Sequence, residues 1–381
     1  MTHHISLPDD RVAILGALDL ERTPAGVRPR RLPAWTRPRM NDGLLDLIVS
    51  QAAGVRLRLR TAARSLALGV HVTVPEMDGS PLPASFDLAV DGTVLGRVPA
   101  TAGDVLSFAA DLTGTRLSPG HPETVRFDDL PGGEKDVEIW LPHGATVELR
   151  TLDSDAPLLA PTPPPGVAWT HYGSSISHGL EAPAPTLTWP AIAALTTGAA
   201  LTNLGFGGNA MLDPEVARAI RDTPADLITL EVGINIVGEA AMRERTFVPA
   251  MHGFLDTIRE GHPDTPIVLV SPTSFAELET TSGPVALDPE TGRKRALGSA
   301  GAGALTLTSV RSLLAKVVDI REDPALRYLD GRELLGPDEA RSLPDGLHPD
   351  PAAHLRMGER AARLLLGPSC DRPATTARRA S

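Results

Sequence analysis

The chain has 381 residues, 42% of them hydrophobic, with 36 Lys plus Arg against 47 Asp plus Glu and a formal net charge of −11. That length exceeds one compact core and sets an expectation of two domains. The acidity gives no support to binding nucleic acid or an anionic membrane surface. A single cysteine, Cys370, excludes an internal disulfide and a cysteine-based metal site.

Residues 1–10 lack an apolar core behind a basic start, and no apolar run reaches about 18 residues, so a cytoplasmic protein is expected. Through 1–160 the hydrophobic pattern alternates with period two. Val55-Arg56-Leu57-Arg58-Leu59-Arg60 is apolar on one side and basic on the other, which predicts a half-buried strand with a solvated arginine face. Segments 85–90 and 93–98 flank Asp91-Gly92 as a hairpin, and 137–141 and 146–150 continue the series. Short strands separated by turn residues predict an antiparallel β-sandwich.

Pro161-Thr162-Pro163-Pro164-Pro165-Gly166 interrupts the pattern and marks a boundary. Beyond it, over 167–366, strands and helices alternate. Strands are expected at 167–172, 227–232, 266–271 and 326–330, and helices at 189–197, 215–221, 247–260 and 307–320. Asp213 and Asp350 are expected to cap helices that open with proline, the second ending near Leu366. This grammar predicts an α/β domain on a doubly wound parallel sheet, with ligands at the carboxyl ends of its strands. Residues 276–303 have little periodicity and read as a surface insertion or a lid. The tail 367–381 reads as disordered.

Ser175 lies where the strand 167–172 ends and a helix begins, a place rich in free N–H groups. Taken alone, Ser174, Ser175 and Ser177 are ordinary turn and cap residues. The Gly-x-Ser-x-Gly spacing of a nucleophile elbow is absent. Asp345-Gly346-Leu347-His348 places a carboxylate three positions before an imidazole, with a glycine to tighten the turn. Such a turn can bring Asp345 onto Nδ1 of His348 and leave Nε2 to face a serine, the arrangement nucleophilic acyl transfer requires; taken alone, the pair reads as loop residues that merely cap. His354 sits among apolar neighbours and is assigned to packing. His171 and His178 with Asp345 fit no familiar metal-ligand spacing, so no metal site is expected.

Gly173-Ser174-Ser175-Ile176-Ser177-His178-Gly179 resembles the first signature block of the SGNH, or GDSL, hydrolase family. Asn203-Leu204-Gly205-Phe206-Gly207-Gly208-Asn209, Gly233-Ile234-Asn235 and Asp345-Gly346-Leu347-His348 resemble the other three, in family order across about 200 residues. The resemblance implies Ser175 as nucleophile, His348 as base and Asp345 as its orienter. It also implies an oxyanion hole from the Ser175 and Gly208 N–H groups and the Asn235 amide. Ser174 replaces the family's usual Asp, and Ile236 stands where many members have Asp; both bear on subfamily rather than on chemistry.

The implied reaction runs through an acyl-serine, with no cofactor. In two-domain layout, length and composition the chain also resembles an acyltransferase branch of that family, and this resemblance implies transfer of an aryl, salicylyl-like acyl group from an acyl-CoA thioester to a sugar hydroxyl of a glycosylated natural product. The expected partners are thus a small-molecule acyl donor and an alcohol or sugar acceptor. A carbohydrate O-acetyl esterase shares the same triad. A third reading, a glycan-binding protein with an inactive hydrolase domain, conflicts with the presence of Ser175, Asp345, His348 and Asn235 together.

Overall fold

The computed structural model describes residues 2–40, 43–77, 79–108, 114–299 and 301–367. Residues 368–381 of the expected disordered tail, Cys370 among them, lie outside this range.

Two sheets face each other in the N-terminal region. One runs Thr115–Ser118, Asp104–Phe108, Leu66–Met77, Thr146–Ser154, Gly26–Arg30, Asp19–Thr23, with three short strands attached. The other runs Leu158–Leu159, Arg56–Thr61, Lys135–Trp140, Ser85–Val90, Thr93–Pro99, with Ala13–Leu15 on Arg56–Thr61. All these pairs are antiparallel except Asp104–Phe108 on Leu66–Met77, which is parallel. Leu57, Leu59, Phe86 and Ile139 of one sheet close on Leu68, Val70, Val147 and Leu149 of the other to form the sandwich core. Asp91 and Gly92 both take positive φ, 48° and 80°, as the two-residue hairpin between Ser85–Val90 and Thr93–Pro99 demands.

Two of the three arginines in the row are not solvated, while the Arg60 side chain stays 42% exposed. Arg56 is 1% exposed and Arg58 8%. The Arg56 guanidinium lies 4.8 Å from the Trp140 ring centre and donates to the Leu201 carbonyl at 3.0 Å. Arg58 donates to Glu138 at 2.8 Å and to the Thr162 carbonyl at 2.7 Å. Period-two alternation reveals that the two sides of a strand differ, not whether the polar side meets another layer. Here it meets the α/β region and the proline-rich connection.

The second layer system is a five-stranded, wholly parallel sheet in the order Ala200–Gly205, Ala168–Gly173, Leu227–Glu231, Ile267–Val270, Leu326–Leu329. The hydrophobic pattern predicts no strand at Ala200–Gly205, because Thr202 and Asn203 break its apolar run. Helices Trp189–Thr197 and Pro351–Leu364 bury Trp189, Ala193, Met357 and Ala361 against one face. Helices Pro214–Asp222, Glu244–Gly261 and Leu307–Arg321 bury Val216, Phe254, Leu255 and Leu314 against the other. In chain order the strands run 2-1-3-4-5, so the crevice at the switch point opens between the ends of Ala168–Gly173 and Leu227–Glu231. Asp350 caps its helix through Ala353 N at 2.7 Å, whereas Asp213 occupies an N-cap position without a side-chain cap bond. Among the described residues no helix is long and apolar enough to cross a membrane.

Two features tie the regions to the crevice. A helix the sequence pattern did not reveal, Gly43–Ser50, places Leu45, Ile48 and Val49 in the same core as Tyr172, Phe206 and Leu230. The insertion 276–303 contains an antiparallel hairpin, Val285–Asp288 with Arg293–Ala296. It is a brace rather than a structureless loop: Lys294 N donates to the Asp345 carbonyl at 2.7 Å, and Arg293 Nη1 to the Pro344 carbonyl at 3.3 Å.

Candidate active site

The strand Ala168–Gly173 ends in a glycine because space there is closed. A Cβ on Gly173 would meet Ser177 Oγ at 2.3 Å and Glu231 Oε2 at 3.0 Å. The chain turns at Ser174, whose Oγ caps the short helix Ser175–His178 by accepting from Ile176 N at 3.3 Å. Ser175 is thereby the first helical residue at the carboxyl end of the central strand.

From the far end of the chain, the loop before Pro351–Leu364 reaches the same point. Gly346 adopts φ 90°, a left-handed turn that favours glycine. Asp345 Oδ1 accepts from Leu347 N at 2.9 Å and His348 N at 2.8 Å, while Oδ2 takes the Nδ1–H of His348 at 2.7 Å. His348 Nε2 is then 2.8 Å from Ser175 Oγ, across 173 positions of sequence. Partial burial pushes the Asp345 carboxyl up, but the His348 hydrogen bond and charge and the two backbone N–H groups outweigh it. The net effect holds it well below the usual carboxylate range. An ionised Asp345 fixes the Nδ1–H tautomer and leaves Nε2 as a lone-pair acceptor aimed at the serine hydroxyl.

The two loops beyond the neighbouring strands supply polar groups. Gly208 takes φ 70°, and a Cβ on the preceding Gly207 would touch Ser175 Cβ at 3.7 Å, so this loop lies against the serine. Among the described residues no acceptor is found for the N–H of Ser175 or of Gly208. Asn235 opens the turn after Leu227–Glu231. Its Oδ1 accepts from Ala210 N at 3.1 Å, which commits the oxygen and frees the NH2 end for another acceptor.

The remaining candidate histidines serve structure. His171 is sealed between Thr229 Oγ1 and Ser177 Oγ, each at 2.7 Å, and burial pulls its pKa down to about 3. His178 gives its Nε2–H to the His143 carbonyl at 2.8 Å and is likewise held neutral by burial. His354 is fully buried and accepts from Trp189 N at 3.3 Å, in keeping with packing. Among the described residues no group of three or more His, Cys, Asp or Glu is placed to hold a metal ion.

Two buried charged residues in this neighbourhood escape a reading of the sequence. Glu231 offers a signal, as the one acid in the apolar run Leu227-Ile228-Thr229-Leu230-Glu231-Val232. Its Oε2 accepts from Ser174 N at 2.9 Å. Arg31 offers none, since it sits in an irregular arginine-rich segment. A pocket of about 580 Å³ also joins the two regions. Its wall combines Leu32, Met40 and Leu45 with Gly208, Asn209 and Met211, and Arg39, Asp213, Glu215 and Glu239 supply charge.

Residues 168–283 match the GDSL-like lipase/acylhydrolase family. No curated protein matches the chain. Among solved structures, a salicylyl-acyltransferase, SsfX3, from a tetracycline biosynthetic pathway is 29% identical, with a TM-score of 0.79 over 94% of this chain and 95% of that one. A family two carbohydrate esterase from Cellvibrio japonicus is 15% identical, with a TM-score of 0.56 over 97% of each chain. An acetyl xylan esterase, Est2A, from the rumen bacterium Butyrivibrio proteoclasticus is 10% identical, with a TM-score of 0.55 over 96% of this chain and 98% of that one. The last two share the fold across both regions. The chain is an enzyme, an acyltransferase or esterase, and residues 168–283 of its α/β domain are similar to the GDSL-like lipase/acylhydrolase family.

Proposed function

We propose that Ser175, His348 and Asp345 form a catalytic triad that moves an acyl group from a thioester to a hydroxyl through an acyl-serine. The observation that carries this reading is the unbroken chain Ser175 Oγ–His348 Nε2–Asp345, at 2.8 and 2.7 Å. Ser175 Oγ attacks the acyl carbonyl carbon while its proton passes to Nε2. The Ser175 and Gly208 N–H groups and the Asn235 NH2 receive the oxyanion. As the tetrahedral centre collapses, the C–S bond breaks and the thiolate leaves with the proton from His348. An acceptor hydroxyl then gives its proton to the same Nε2 and attacks the acyl-serine; the acyl C–Oγ bond breaks and Nε2 returns the proton to Oγ, which regenerates Ser175 and neutral His348.

Donor and acceptor separate the two catalytic readings. An acyl-CoA donor carrying an aryl group, with a sugar hydroxyl as acceptor, is supported by the likeness to the salicylyl-acyltransferase along nearly the whole of both chains. The pocket beside Gly208 is lined by Leu32, Met40, Leu45 and Met211, apolar groups that suit an aryl acyl group or an apolar part of the acceptor. Hydrolysis of a carbohydrate O-acetyl ester is the second reading, favoured by the shared fold of the carbohydrate esterases. An intracellular location accompanies the first reading, because acyl-CoA is found there.

The test offers the enzyme salicylyl-CoA in water, with and without a sugar alcohol. The transfer reading predicts that an ester of the sugar accumulates at the expense of free acid. Free acid alone, at a rate the sugar leaves unchanged, points to an esterase. Failure of a fluorophosphonate to label the wild type would count against both.

A further inference from the structure

Arg31 is fully buried, and among the described residues its guanidinium meets no carboxylate. Nε donates to the Gln51 carbonyl at 2.7 Å, and Nη1 donates to the carbonyls of Gly205 at 2.5 Å and Asn203 at 3.3 Å. Nη2 donates to the Ile48 carbonyl and, at 3.5 Å, to Nδ1 of the neutral His178. The guanidinium also lies 5.0 Å from the Phe206 ring centre. A cation taken from water without a carboxylate partner is costly unless its hydrogen bonds are fully met. Glu231 is the reciprocal case: it is 4% exposed, Oε1 has no partner among the described residues, and burial raises its pKa.

The two charges are joined through backbone. The peptide group whose carbonyl takes Arg31 Nη1–H, between Gly205 and Phe206, gives its own N–H from Phe206 to the Gly173 carbonyl at 2.7 Å. The peptide group between Gly173 and Ser174 then gives its N–H to Glu231 Oε2 at 2.9 Å. The two peptide units thus form a head-to-tail chain with the Arg31 cation donating at one end and the Glu231 carboxyl accepting at the other, in which hydrogen bonds reinforce one another. One unit, Gly173–Ser174, lies one peptide before the unit that carries the Ser175 N–H. The other leads, two residues on, to Gly208. These are the two backbone positions whose N–H groups must converge on one oxyanion.

We infer that Arg31 and Glu231 are positioning residues for acyl transfer. They act as the two ends of a peptide relay that holds the nucleophile turn in register with the loop bearing Gly208. The inference rests on the reading of Ser175 as nucleophile. It makes a residue from the N-terminal region part of the machinery that shapes the oxyanion hole, although that residue touches no substrate. A misplacement of about 1 Å at such a site lowers turnover on the order of 100-fold.

The test measures kcat and KM on p-nitrophenyl acetate for Glu231→Leu, Glu231→Gln, Arg31→Met and the Arg31→Met/Glu231→Leu pair, with thermal melts for folding. Glu231→Leu removes the acceptor for Ser174 N and lowers kcat at least about 30-fold while KM stays within about twofold. Glu231→Gln keeps an acceptor oxygen and retains kcat within about threefold of wild type. The double variant falls no more than about threefold below the slower single, because both substitutions cut one relay. Should Arg31→Met not fold, the contrast between Leu and Gln at 231 decides. Folded Glu231→Leu with wild-type kcat, Leu and Gln behaving alike, or losses that multiply in the double variant would overturn the relay. Ser175→Ala run beside them separates the two claims: its full activity removes the nucleophile reading. A dead Ser175→Ala beside a fully active Glu231→Leu removes only the relay.

Discussion

Asp345→Asn exchanges one oxygen for an NH2 group and should cost the enzyme nearly all its turnover. In the folded enzyme Oδ1 is committed to two backbone donors, Leu347 N at 2.9 Å and His348 N at 2.8 Å. An asparagine must keep its carbonyl oxygen there, or two half-buried N–H groups lose their acceptor. Its NH2 then faces Nδ1 of His348 across the 2.7 Å contact that Oδ2 now occupies. Two donors cannot share that contact, so Nδ1 becomes the acceptor and the proton moves to Nε2. A protonated Nε2 at 2.8 Å from Ser175 Oγ cannot take the serine proton. A wrong tautomer in a serine triad costs ~10⁴ in kcat, or ~5.4 kcal/mol at ~1.36 kcal/mol per decade. The assay is steady-state hydrolysis of p-nitrophenyl acetate, checked by the rate of fluorophosphonate labelling. KM should move little, because Asp345 meets no substrate. A folded Asp345→Asn enzyme within about tenfold of wild type would refute the tautomer argument.

On the proposed oxyanion hole, Asn235→Ala removes one donor and should lower kcat by ~10²–10³ while Ser175 remains reactive enough to label; an unchanged kcat excludes Asn235 from the hole. Lys294→Pro removes the N–H that braces the Asp345 carbonyl without cutting the hairpin, since Lys294 N points away from its partner strand. It should reduce kcat about tenfold with the melting temperature nearly constant, as read by parallel kinetics and thermal melts. Acid should unfold the protein early. Burial holds His143 at about 4, His171 and His354 at about 3, and His178 well below its ordinary value. Unfolded histidines take up a proton near roughly pH 6.5, so the unfolded chain binds more protons below that point. Stability is therefore whole above about pH 6.5 and lost toward pH 3–4, by up to ~1.4 kcal/mol per pH unit for each histidine. Glu231, raised by burial, works in the opposite sense as one group against four. Urea unfolding from pH 7 to 4.5 reads the slope, and a flat profile would contradict it.

Much of the fold was legible because local physics and the fold agree. Asp350-Pro351 marked a helix start that forms with a true cap, and Asp91-Gly92 marked a hairpin that forms with both residues at positive φ. The approach of His348 to Ser175 was legible for a different reason: a glycine-tightened turn can close on itself locally, and the sheet rule says where strand ends meet. What stayed hidden depends on tertiary contact. Arg56 and Arg58 looked solvated because alternation carries no information about a second layer. Ala200–Gly205 was missed because Asn203 is needed for its side chain, which donates to the Ser177 carbonyl at 2.9 Å, and so breaks the strand's apolar pattern. Arg31 had no pattern to betray it, since most of its acceptors are backbone carbonyls contributed by residues as far away as Gly205.

Peptide mapping by mass spectrometry, after the enzyme is mixed with an acyl-CoA and quenched in acid, reaches the heart of the matter. The covalent scheme predicts a mass gain equal to one acyl group on the peptide containing Ser175, absent from Ser175→Ala. Steady turnover with that peptide unmodified throughout, or with the acyl group trapped on another side chain, would contradict it.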